Sequence, residues 1–183
     1  EVMRTKGGLL QVSTLRSPEL FQATQDHTIF GVHVGKTTSQ IRVPATFHYH
    51  VELAPEWKIT VRNNTFIVIA PRVKATLPVA IDTAKLEKLT SGTWSLLTGQ
   101  SELDQLQKSI TQSLAQKAAT PLFIQLQREA ARKTVTEFVT RWVVEQRGSP
   151  PATGYTVRVF FADEPIEALG SAPLPLGGTL LNK

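Results

Sequence analysis

Residues Pro121 to Arg147 read PLFIQLQREAARKTVTEFVTRWVVEQR, and the fold follows from how this stretch is read. Leu122, Leu126, Ala130 with Ala131, Val135, Phe138 with Val139, and Trp142 recur at spacings of three and four. That repeat puts side chains on one face of a 3.6-residue helix and predicts a continuous apolar stripe. Thr120 before Pro121 fits an N-cap and first helical position, since the first amides of a helix lack partners and proline has none to lose. Gly148, then Pro150 and Pro151, closes the far end. Glu129 with Lys133 and Glu137 with Arg141 are acid-before-base pairs four apart, each contributing about 0.2–0.5 kcal/mol, so the opposite face reads as a solvated exterior.

An amphipathic helix needs something to cover, and the segment upstream supplies it. Trp57 to Ala70 reads as a hairpin: WKITV, a reversal at Asn63-Asn64, then FIVIA. Asparagine tolerates the left-handed backbone of tight hairpin turns. Phe66 to Ala70 is apolar at every position, as in an interior strand covered on both sides. Before it, Ile41 to Leu53 alternates Phe47, Tyr49, Val51 and Leu53 against His48, His50 and Glu52, the period of a strand with one buried face, and Pro44 makes its beginning an edge or a bend. Shorter extended pieces are expected around Leu9 to Leu15 and Leu20 to Thr24, divided at Ser17-Pro18, and at Ile29 to Val34 before a turn at Gly35 to Ser39.

Downstream of the hairpin, Pro71 and Pro78 mark an extended linker, with Val79 to Ile81 pairing once more. Asp82-Thr83 is read as capping a helical turn through Leu86 and Leu89 that Ser91-Gly92 interrupts. Ser101 is read as the N-cap of a helix whose stripe is Leu103, Leu106, Ile110 and Leu114 and which ends near Ala119. Tyr155 to Phe161 alternates as a late strand. The expected fold is α+β: a mainly antiparallel sheet covered by a C-terminal helical hairpin, with the late strand returning to the sheet. One domain is expected over residues 1–168, strand-rich over 8–82, helical over 83–147 and with the late strand at 154–161, followed by a tail at 169–183.

Composition narrows the function classes. With no cysteine, disulfide scaffolds and thiolate chemistry are excluded. The net charge is +5, but the 20 Lys and Arg residues are scattered rather than gathered, which argues against nucleic-acid binding. No run approaches the roughly 20 apolar residues that span a bilayer. The sequence opens on Glu1 rather than methionine, which leaves room for a preceding leader or anchor.

The order of these elements is itself specific. VELAPEWKITVRNNTFIVIAPRV, IDTAKLEKLTSGTW and SELDQLQKSITQSLAQKAATPLFIQLQREAARKTVTEFVTRWV follow one another, and together they resemble the bacterial domain-of-unknown-function family 4230. The similarity spans roughly Gly8 to Phe161 and is sharpest from Glu52 to Val143. What the resemblance implies is a domain tethered to the membrane by one N-terminal helix. It brings no activity, cofactor or catalytic residue to carry over.

Motifs that carry chemistry are few. Gly31 to Thr37 imitates a phosphate-binding loop but has three residues, not four, before its Gly-Lys pair, and strand rather than helix follows. A chain-reversing glycine is the better reading. His48, His50 and Glu52 project from one strand face, as in some metal sites, with His33 or His27 as a further ligand; a solvated sheet face has the same pattern. Asp26, Glu52, Glu56 and Asp82 are not spaced as an acid and base pair, and no serine stands in a Gly-x-Ser-x-Gly elbow. Arg128, Arg132 and Lys133, with Arg141, offer a face to lipid head groups or an acidic partner, or simply solubilise the helix. Trp57 and Trp142 are read as core rings, and Asn63-Asn64-Thr65 as a turn rather than a glycosylation site.

The function expected is therefore a non-enzymatic, membrane-tethered bacterial domain outside the cytoplasm. It would act through an unidentified protein partner, use no cofactor and bind no nucleic acid. The alternatives are a metal- or small-ligand-binding module built on His48 and His50, and a hydrolase without a recognisable motif.

Overall fold

A computed structural model describes residues 8–54, 57–62, 64–93, 95–147 and 154–164 of the 183-residue chain. Gly148 to Thr153, where the end of the long helix was expected, and the tail at 169–183 lie outside the described residues.

Two strands, β1 (Leu9–Ile29) and β2 (Val32–Glu52), open the chain as one hairpin. The reversal is at Phe30-Gly31, both with positive φ (50° and 78°), the pair of left-handed residues that a type I′ turn requires. Three expectations are corrected here. Ser17-Pro18 does not divide β1, because β1 lies at the edge of its sheet, where a missing amide need break no ladder bond. Ile29 to Val34 straddles the turn rather than forming a strand, and Gly35 to Ser39 runs inside β2. The reversal escaped notice because phenylalanine, unlike asparagine or glycine, seldom takes a left-handed backbone. Phe30 stands at the tip fully exposed.

After β3 (Lys58–Arg62) and β4 (Thr65–Ala70), β5 (Lys74–Ile81) pairs with β2. Asp82 caps a single 3-10 turn at Thr83–Lys85, its Oδ1 accepting from the Ala84 amide at 3.2 Å. The next residues were expected to be helical but form β6 (Glu87–Gly92), antiparallel to Thr37 through Arg42 of β2. An open strand edge thus overrides a weak local helical preference. Gly92 closes β6 at φ 116°, where a Cβ would fall 2.1 Å from the Lys36 carbonyl oxygen. Pro44 sits just beyond the last β6 pair, Arg42↔Glu87, so it removes no bond from that ladder.

Helix α1 (Ser95–Ala118) starts a turn and a half before the expected cap; Ser101 lies inside it and donates to the Thr98 carbonyl at 2.8 Å. Leu103, Ile110 and Leu114 are buried as predicted. Helix α2 (Pro121–Arg147) has the expected bounds, and Thr120 Oγ1 accepts from the Phe123 amide at 3.4 Å as its cap. The last strand, β7 (Thr156–Phe161), pairs parallel to β4 in register, Phe66↔Val157 to Ala70↔Phe161. The α+β class, the mostly antiparallel pairing, the C-terminal two-helix element and the returning late strand all match the sequence reading.

The chain divides into two compact units. One contains Thr14–His48 and Ala75–Ile124, the other Glu1–Ser13, Tyr49–Lys74 and Gln125–Lys183. In the first, Ile41, Val43, Ala45 and Phe47 of β2 line a core with Ile110, Leu114 and Ala118 of α1, and Phe47 meets Phe123 edge-on at 5.5 Å. In the second, the β3-β4-β7 sheet presents Phe66, Val68, Ala70, Val157, Val159 and Phe161 on one buried face. Helix α2 lies over that face: Arg132 stacks on the Phe161 ring at 5.4 Å and donates to the Val159 carbonyl. That is the cover the apolar run in β4 called for.

Candidate functional site

The sequence reads one continuous apolar stripe along α2, and only part of it is buried against this sheet. Ala131, Val135, Val139 and Val143 are the buried seam, spaced four apart, with Gln127 at its start. Leu122, Leu126, Phe138 and Trp142 are exposed. Two apolar stripes share one helix, and the one with small side chains lets the backbone approach the sheet.

The larger side chains line a groove instead. Phe138, Val139 and Trp142 form one wall, and Leu53, Trp57 and Ile59 the other, around a volume of about 390 Å³. Trp57 donates its Nε1–H to the Glu52 carbonyl at 2.9 Å, which fixes its ring, and the ring meets Phe138 at 6.0 Å and 54°. Leu53 at 40%, Ile59 at 37%, Phe138 at 37% and Trp142 at 42% remain exposed, so this apolar lining faces water. At about 25 cal/mol per Å² of apolar area, covering it is a source of binding energy.

Beside the groove runs β3, exposed at every residue. It pairs with β4 through a two-residue connection, Arg62↔Thr65, in which Asn64 has φ 59°. Among the described residues no strand pairs with its other edge. Ile59 and Val61 share the groove face with their partners Val68 and Phe66; Lys58 and Arg62 lie on the other face opposite Ile69 and Thr65, neither of them acidic.

Of the cations expected to face lipid or an acidic partner, Arg128 and Arg132 are engaged within the unit. Arg128 pairs with Asp163 at 2.6 Å, and Arg132 with Glu164 and, at 3.3 Å, Glu129. Glu164 also accepts from the Phe161 amide at 2.8 Å. Burial alone would raise its pKa, but the bonds from Arg132 and Phe161 more than reverse this and hold it below the usual carboxylate range.

The candidate metal residues point elsewhere. His48 Nδ1 lies 3.2 Å from Thr14 Oγ1. Glu52 accepts from Lys74 Nζ at 2.8 Å, and that bond and charge hold it low. Burial lowers the pKa of His50, with Glu52 opposing and Lys74 reinforcing the shift. His33 meets Asp26 at 3.2 Å, and His27 meets Thr37 at 3.0 Å. Among the described residues no three His, Asp or Glu side chains gather where they could share an ion.

One polar cluster merits comparison with a hydrolase. His27 Nε2 lies 3.0 Å from Thr37 Oγ1 and 3.8 Å from Glu102 Oε1, while Ser39 donates to Glu102 Oε2 at 3.1 Å. A nucleophile relay needs the hydroxyl and the carboxylate on opposite ring nitrogens. Here both approach Nε2, and Thr37 and Ser39 are fully buried. The cluster joins α1 to β2.

Comparison with family models, with curated proteins and with solved structures returns no match to this chain.

Proposed function

We propose that this chain is a non-enzymatic binding domain that acts through protein contacts, and that the groove between α2 and β3 is its contact surface. The observation that carries this reading is the solvent-facing set of Trp142, Phe138, Leu53 and Ile59 beside an edge strand. Aromatic anchors around a preformed pocket are the usual centre of a binding interface. The resemblance to family 4230 supports a bacterial domain held outside the cytoplasm by an N-terminal membrane anchor. Within the described residues no helix is long and apolar enough to cross a membrane, so such an anchor would belong to other residues.

The test is photo-crosslinking in the source cell, with a photoreactive amino acid placed at Trp142 and, as control, at exposed Lys133. A discrete protein adduct from position 142 and none from 133 is the expected result. Equal labelling at both, or none at 142, would contradict the assignment.

A further inference from the structure

We infer that β3 takes an extended peptide as an added strand, one that alternates apolar side chains with acidic ones. The inference rests on the reading of the groove as a contact surface and specifies what fills it and how.

The two-residue connection makes Arg62↔Thr65 a hydrogen-bonded pair, and such pairs recur at Thr60↔Ile67 and Lys58↔Ile69. The backbone N–H and C=O groups of Ile59 and Val61 therefore point to the edge with which no strand pairs among the described residues, and the side chains of these same residues lie on the groove face. An added strand would bond to Ile59 and Val61 and lay every second side chain along the groove. Its intervening side chains would fall beside Lys58, Thr60 and Arg62. Two cations on that face, whose partners across β4 are Ile69 and Thr65, select acidic groups in the newcomer.

The same charges decide against other occupants. Antiparallel pairing of β3 with a second copy would set Lys58 against Arg62 twice, and like charges opposite one another are destabilising. A lipid surface cannot supply alternating donors and acceptors to a strand edge.

Three capped peptides of equal length test this by fluorescence anisotropy with the whole chain. One alternates glutamate with valine, the second lysine with valine, and the third is the first with N-methylated backbone amides on its bonding edge. Binding of the first, at least about tenfold weaker binding of the other two, and a reversed charge preference in the Lys58→Glu, Arg62→Glu double variant are expected. Amide shifts confined to Ile59 and Val61 on titration would locate the strand. Equal binding of the methylated peptide, or none of any peptide while the position-142 adduct persists, overturns strand addition and leaves the groove reading standing. Concentration-dependent dimerisation lost in Ile59→Pro would replace the peptide with a second copy. Loss of the adduct as well removes the groove reading itself.

Discussion

Trp142 and Val139 are three residues apart on α2, yet one is 42% exposed and the other 2%. Nothing in the hydrophobicity of either residue separates them; the helix face that meets the sheet does. Glu164 shows the same dependence on neighbours. Its folded pKa is depressed, so the stability it contributes is complete above the ordinary carboxylate value and is lost as pH falls through the lower folded one. Glu164→Gln is expected to lower the melting temperature at pH 7, and the gap to wild type should close below about pH 4. Thermal melts from pH 7 to pH 3 check this. A gap that stayed constant with pH would remove the charge of Glu164 from the explanation. The clamp itself was not legible, because Asp163 and Glu164 lie far along the chain from Arg128 and Arg132.

At the scale of the element, what the sequence shows well is what local geometry decides. Thr120-Pro121 marks the start of α2 through unpaired amides, and Asn64, at φ 59°, marks the β3-β4 reversal through backbone tolerance. The failures are tertiary. β1 passes Pro18 because it is an edge, β6 is a strand because β2 offered it a ladder, and of the single stripe expected on α2 only the small side chains Ala131, Val135 and Val139 are buried in the seam. The seam supports a paired prediction. Ala131→Leu should destabilise the domain by about 1–3 kcal/mol through overpacking. Leu126→Ala should fall within about 0.5 kcal/mol of wild type, as surface changes do. Urea denaturation of both variants checks the pair, and the opposite order would put Leu126 rather than Ala131 in the seam.

For the whole molecule, the α+β class and the order of elements are legible because each element carries its own period and punctuation. The groove is not, since the same rings that line it had been counted as core. Periodicity reports that a helix is apolar on a side; it cannot report which of two apolar stripes the fold leaves uncovered. The contact function proposed for this chain depends on that difference. The most direct test is therefore the unfolding free energy of Trp142→Ala. A partly exposed groove ring predicts a loss below about 1.5 kcal/mol, whereas a loss of about 3–5 kcal/mol, the cost of deleting a buried tryptophan, would make Trp142 core and close the groove.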